Sequence, residues 1–209
     1  MWYMFEKCVK VAGDPQCRSY LQKVERLADS FAKCIESRSA DDCMQECLRR
    51  CRGKECGEAC LGALNAAAGM MVARSIIKTA EAAASQLNMD PVAAVAWAFY
   101  KEVEKAKTRS CPEKEVAAWI LAVAAVELYK HFKKAPNPRH RHAQEVLLLM
   151  APALAEAYQC VGEEVFKYLD SIKPIIGEGA VKRIIDEMKE GNVSVGGVLI
   201  EFKPVAAKQ

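Results

Sequence analysis

The side chains best suited to chemistry in this sequence are its cysteines, ten in a chain of 209 residues. Five fall in one stretch, Cys43-Met-Gln-Glu-Cys47-Leu-Arg-Arg-Cys51-Arg-Gly-Lys-Glu-Cys56-Gly-Glu-Ala-Cys60. Residues four apart on a helix share a face. Cys43, Cys47 and Cys51 therefore form one thiol stripe, and Cys56 with Cys60 forms another. Gly53 lies between them and can turn the chain back. Facing thiols can oxidise to disulfides, which require Cα atoms about 4.4–6.8 Å apart and converging Cβ vectors. Alternatively, with Met44, Met70 and Met71 nearby, they suit a soft ion such as Cu(I), or Zn, or an iron–sulfur cluster.

Reflection of the two stripes across the loop pairs Cys47 with Cys56 on an inner rung and Cys43 with Cys60 on an outer one. Cys8 and Cys17 flank Gly13-Asp14-Pro15, a turn that could close a further small loop. Spacing assigns no partner to Cys34, Cys51, Cys111 or Cys160. The metal alternative draws on Cys43, Cys47, Cys51, Cys56 and Cys60, but it lacks a C-x2-C knuckle and any histidine close by. Disulfide staples with no metal and no cofactor are thus the leading expectation, and a thiol-based metal-binding or storage bundle is the rival. A thioredoxin-type role needs C-x-x-C on a strand-to-helix turn, and the sequence contains no such pair.

The second constellation is basic. His131, His140 and His142 are the three histidines, set in Lys130-His131-Phe132-Lys133-Lys134 and Arg139-His140-Arg141-His142, with no acid until Glu145. Lys133, Lys134, Arg139 and Arg141 could neutralise phosphates while histidines add hydrogen bonds. The plainer reading is a solvated loop beside a helix C-terminus, which favours cations anyway. Arg49, Arg50 and Arg52, with Lys54, form another basic group at the tip of the cysteine hairpin. Lys101, Lys105, Lys107 and Arg109 alternate with Glu102 and Glu104, a pattern of ordinary surface pairing. The adjacent acids Glu163-Glu164 and Asp186-Glu187 face different sides of a helix. No Gly-rich phosphate loop follows a strand, and neither H-E-x-x-H nor G-x-S-x-G occurs. The chain is therefore not expected to be an enzyme.

Helices must carry these groups. Tyr20, Leu21, Val24, Leu27, Phe31 and Ile35 recur at three- and four-residue spacing, predicting an amphipathic helix over 16–35. Ser39 or Asp41 can cap a second helix running to about Arg50, which Gly53 breaks. A long third helix, rich in Ala, runs from Glu55 to about Leu87. Asp90-Pro91 opens the next helix, with Asp90 as N-cap and Pro91 in the first turn. Ser110-Cys111-Pro112-Glu113 opens another by the same logic. Trp97 and Trp119 lie in apolar runs and are expected in the core. After Ala135-Pro136-Asn137-Pro138, helix is predicted to about Tyr168 with a kink at Pro152. A short helix over Gly179 to Lys189 ends at Gly191-Asn192. Val193-Ser194-Val195 and Val198-Leu199-Ile200-Glu201-Phe202 then alternate about Gly196-Gly197, which reads as a β-hairpin. A hairpin is marginal in water by itself, so this one should dock on the helices or on another chain.

These elements predict an all-α fold, a bundle of about six or seven helices with a small C-terminal β-hairpin. They group as a cysteine-rich region over 1–88, an Ala-rich bundle over 89–192 and a tail over 193–209, within one compact domain. Hydrophobic residues at 52% supply an ample core, and charged residues at 27% are ordinary for a soluble protein. A net charge of +3 does not by itself imply nucleic acid or an anionic membrane. The longest unbroken apolar run, Val116 to Val126, is too short to span a bilayer. Met1-Trp2-Tyr3-Met4-Phe5-Glu6-Lys7 lacks the basic and apolar regions of a signal peptide, so the expected setting is cytoplasmic or a virion, with no membrane span. Ordinary cytosol keeps thiols reduced. Ten cysteines then fit either an intracellular protein of a hyperthermophile, archaeal for instance, or a particle that leaves the cell. Few Gln and Asn and plentiful Glu, Lys and Ile agree with the former. The functional expectation is a structural, self-assembling protein whose partners are its own copies. In its more specific form it is a coat protein or nucleoprotein that contacts nucleic acid through the basic groups above.

Overall fold

The computed structural model describes residues 26–27, 30–134 and 141–206. Among them are eight helices and two strands. In chain order the helices are α1 (Ala40–Arg49), α2 (Lys54–Leu87), α3 (Pro91–Lys107), α4 (Cys111–Lys134), α5 (Arg141–Leu147), α6 (Met150–Val161), α7 (Glu164–Ile176) and α8 (Glu178–Glu190). The strands β1 (Asn192–Val195) and β2 (Val198–Glu201) follow. The all-α architecture with a terminal hairpin is as the residue pattern predicts. Two compact units divide between Met71 and Val72, inside α2.

The first unit is small and rich in sulfur. Residues 30–35 are helical. α1 starts where the Ser39 hydroxyl accepts a hydrogen bond from the Asp42 amide at 3.1 Å. Phe31, Ala32, Cys43, Cys60, Ala63 and Ala67 are its buried core, with Leu27, Ile35, Met44, Leu64 and Met70 packed around them. So few large side chains bury little apolar area, the situation in which small domains depend on covalent cross-links.

The second unit has a conventional core. Asp90 caps α3, its carboxylate accepting from the Val92 amide at 2.9 Å and the Ala93 amide at 3.3 Å, with Pro91 in the first turn. α6 is the central helix, buried without interruption from Met150 to Ala157. Its buried charge, Glu156, is paired with Lys114 of α4 at 3.2 Å. One turn away the Cys111–Cys160 disulfide ties the same two helices. Closing a loop that long removes enough unfolded-chain entropy to stabilise by about 4 kcal/mol. α4 buries Ala118, Leu121, Ala122, Ala124, Ala125, Val126 and Leu128, so one face of the run from Val116 to Val126 is core while Val116 itself is 41% exposed.

Two local expectations are corrected here. The helix after the Pro-rich loop does not continue through a kink at Pro152. It breaks at Leu148-Leu149 and again at Gly162, which has φ +61°. Pro152 thereby falls in the first turn of α6, where a missing backbone donor breaks no helical hydrogen bond. Trp97 is 39% exposed rather than core, with the Lys101 ammonium 3.5 Å above its ring. The apolar run around it encircles α3, so periodicity could not say which face turns outward. α2 contains an apolar stretch, Ala59–Leu87, that is long enough to cross a membrane by length and composition, with mean hydropathy 1.5. Arg74 and Lys78 interrupt it, which hides it from a search for unbroken runs.

The hairpin docks on the helices of its own unit. Val195 pairs with Val198, and Gly196 and Gly197, both with positive φ, make the two-residue turn. Val193, Val195, Ile200, Phe202 and Val205 are buried. The Phe202 amide donates to the Gly191 carbonyl at 2.8 Å, and the Val205 amide to that of Met188 at 2.9 Å.

Candidate functional site: the thiol cluster and its arginines

The cluster is assembled by two helices and the turn between them. α1 ends at Arg49 with Arg50 as its C-cap, leaving Cys51 in the turn; Gly53, with φ +98°, reverses the chain, and α2 begins at Lys54. Reversal at that point sets Cys51 opposite Cys56 and Cys47 opposite Cys60. Both pairs are disulfides, with Cα separations of 5.4 Å and 6.1 Å. A third disulfide, Cys34–Cys43, ties the 30–35 helical segment to α1 at a Cα separation of 5.9 Å.

Disulfides therefore do form from Cys43, Cys47, Cys56 and Cys60, but with pairings other than those expected. The expected rungs, Cys47–Cys56 and Cys43–Cys60, require a reversal centred near Cys51 and Arg52. The left-handed residue that makes the reversal is Gly53, so the mirror falls two residues later and every rung shifts. Cys51, left without a partner by the spacing argument, closes the turn, and Cys43 is released to pair with Cys34. The positive-φ requirement at Gly53 is the signal that would have placed the rungs correctly. Cys8 and Cys17 lie outside the described residues.

These disulfides touch. The Cys51 and Cys60 sulfurs, which are not bonded to each other, are 3.4 Å apart. Cys47, Cys51 and Cys60 place their Sγ atoms within 4.8 Å of one another. Cys60 is fully buried, while Cys47, Cys51 and Cys56 are half-buried. Cys47, Cys51 and Cys56 line a cleft of about 530 Å³ whose lining also includes Leu27, Phe31, Glu46, Arg50 and Arg52. The cleft thus combines sulfur with apolar side chains and two guanidinium groups.

Electrostatics around the cleft centre on Glu46. It is paired with Arg38 and, at 2.6 Å, with Arg50. The hydrogen bond from Arg38, reinforced by the charge of Arg50, holds its carboxyl below the usual carboxylate range. Arg49, Arg50 and Arg52 are all exposed.

The other basic candidates are in the second unit. Lys133 and Lys134 are exposed at the end of α4, with the Lys133 ammonium 5.6 Å from the centre of the Tyr129 ring. Arg141 is the first residue of α5, and Arg139 lies outside the described residues. The structure thus distributes the basic groups over two units. Sequence reasoning missed the Lys114–Glu156 pair, because residues so distant in the chain leave no spacing to read.

No family model, curated protein or solved structure matches the chain, so a functional reading has to come from its own residues.

Proposed function

We propose that this is a structural protein that assembles with its own copies, its subunits hardened by disulfides. The observation that carries the reading is the apolar stretch of α2. Only 41% of its most apolar window is buried within the chain. Met71, Val72 and Ile77 are half-exposed, and Leu87 is 71% exposed. A long helix rich in small residues with uncovered apolar side chains is a surface that a second helix can bury. The paired cysteines agree with the reading, since cross-links suit a subunit that must stay folded outside a reducing cell.

In its more specific form the assembly coats nucleic acid, with Arg49, Arg50, Arg52, Lys133, Lys134, Arg139 and Arg141 contacting phosphates. Such contacts would weaken steeply with salt as counterions are released.

Sedimentation velocity over a concentration series, with and without duplex DNA, tests the proposal. Association that grows with concentration and is lost in an Ile77→Glu variant is expected. A strict monomer at every concentration would sink the assembly reading. DNA binding that ignores salt would sink the nucleoprotein form. The length of α2 also fits a bilayer, and flotation with lipid vesicles in place of self-association would make it a membrane span instead.

A further inference from the structure

We propose that the two touching disulfides, Cys47–Cys60 and Cys51–Cys56, are the oxidised form of a tetrathiolate site for a d10 divalent ion, Zn(II). The inference concerns the reduced chain and stands whether or not copies assemble.

Geometry is the first support. A tetrahedral zinc site with Zn–S bonds of about 2.3 Å holds its sulfurs about 3.8 Å apart. The Cys51 and Cys60 sulfurs are already 3.4 Å apart without a bond, and Cys47 lies within 4.8 Å of both. Cys56 is the bonded partner of Cys51, so its sulfur adjoins that group of three and is the fourth donor. Among the described residues, Cys47, Cys51 and Cys60 are the grouping of three or more ligand-type side chains able to close on an ion. The four donors come from the end of α1, the turn and the first turns of α2, so the hairpin itself sets their spacing.

Charge is the second support. Four thiolates around a divalent ion leave a net charge of −2, which a half-buried site must offset. Arg50 and Arg52 line the same cleft. Glu46 balances part of the Arg50 charge in the oxidised form. On loading, Arg50 turns from that carboxylate toward the sulfurs, stabilising thiolate over thiol as cations beside cysteines do.

The chemistry balances simply. A dithiol reductant donates two electrons and two protons to each disulfide, and is itself oxidised to a disulfide. The four resulting thiols bind Zn(II) and release four protons. Two equivalents of a small-molecule disulfide, each taking two electrons and becoming two thiolates, restore the two protein disulfides by thiol–disulfide exchange and release the ion, so metal content reports redox state. Cys34–Cys43 is spatially part of the core but supplies no ligand.

The test uses the full chain, reduced anaerobically with a phosphine and titrated with Zn(II), then separately with Co(II) as a coloured substitute. Stoichiometric Zn(II) that resists a competing chromophoric chelator is expected, together with intense Co(II) d–d bands of a tetrahedral all-sulfur site. A paired Cys34→Ser and Cys43→Ser variant should keep both signals. Cys51→Ser should weaken binding by more than about 100-fold, because even the outer partners of a metal site are worth about 10–100-fold. Cys56→His keeps four donors, so it should retain the metal with Co(II) bands shifted to higher energy. Far-UV circular dichroism on each reduced sample, before and after metal, separates a lost ligand from a lost fold. Failure of the reduced chain to hold stoichiometric Zn(II), whether folded or not, overturns the proposal. So does unchanged binding in Cys51→Ser, or an unshifted Co(II) spectrum in Cys56→His.

Discussion

Tyr168 of α7 is buried with its ring centre 4.9 Å from that of Trp119, and burial pushes its phenol well above its ordinary value of 10.0. The cause is desolvation, since the interior disfavours the phenolate. In the unfolded chain the same phenol ionises near its ordinary value, so above that pH the folded state holds a proton that the unfolded state has lost. Stability is then full below about pH 10 and falls as pH rises, at up to about 1.4 kcal/mol per unit. Urea titrations of the wild type between neutral and strongly alkaline pH should show that decline. Tyr168→Phe, which cannot ionise, should flatten it. An equal decline in both proteins would assign the alkaline loss to other groups. The thiols make a different point at this scale: Cys51 and Cys60 meet at a distance that no spacing rule reports, because each is bonded to someone else.

Among the elements, the hairpin shows how a backbone requirement becomes a packing requirement. Gly196 and Gly197 both have positive φ, at +58° and +81°. A Cβ on Gly196 would lie 2.5 Å from the Ala93 nitrogen and 2.9 Å from the Val92 carbonyl carbon, at the start of α3. A Cβ on Gly197 would meet nothing within 4 Å. Gly197→Ala should therefore cost only the left-handed backbone penalty, about 1 kcal/mol. Gly196→Ala adds a clash with backbone that cannot turn aside, and should cost more than about 3 kcal/mol. Equilibrium unfolding of the two variants decides this, and equal losses would mean that the turn does not press on α3. The Gly-Gly turn was legible as a turn, and the alternation about it as a hairpin. The helix beneath it was not, since nothing local to residues 193–202 names residues 92 and 93. Pro152 teaches the same lesson in reverse. A proline in an apolar run reads as a kink, but tertiary packing ended α5 early enough to put it in a first turn.

For the molecule as a whole, the cross-links are unevenly distributed. Three described disulfides lie in the first unit, around a core whose large side chains are few, and one lies in the second. Each is worth about 2–4 kcal/mol, comparable to the whole margin of a small domain. Calorimetry with and without a phosphine reductant, in the presence of a metal chelator, should show a low-temperature transition appearing on reduction. The main transition, from the larger core, should shift by only the contribution of Cys111–Cys160. A single transition shifted as one would show that the units unfold as a block. Where the units divide was not readable from composition: the boundary suggested by Asn88 to Pro91 is a helix start, whereas the division falls within α2.

Helical class, most element boundaries and the hairpin were determined by the sequence alone, because they depend on interactions within a few residues. Apolar spacing, the Asp90 cap, the glycines at Gly53, Gly191 and Gly196-Gly197, and a cysteine stripe at four-residue intervals all act locally. The recurrence of cysteines likewise announced cross-linking without naming partners. Only the tertiary structure decided which sulfurs pair, that Lys114 and Glu156 meet inside the core, that Trp97 faces outward and that much of α2 stays uncovered. Those outcomes depend on where chain reversals fall. A reversal displaced by two residues, as at Gly53, changes every contact beyond it while leaving each helix unaltered.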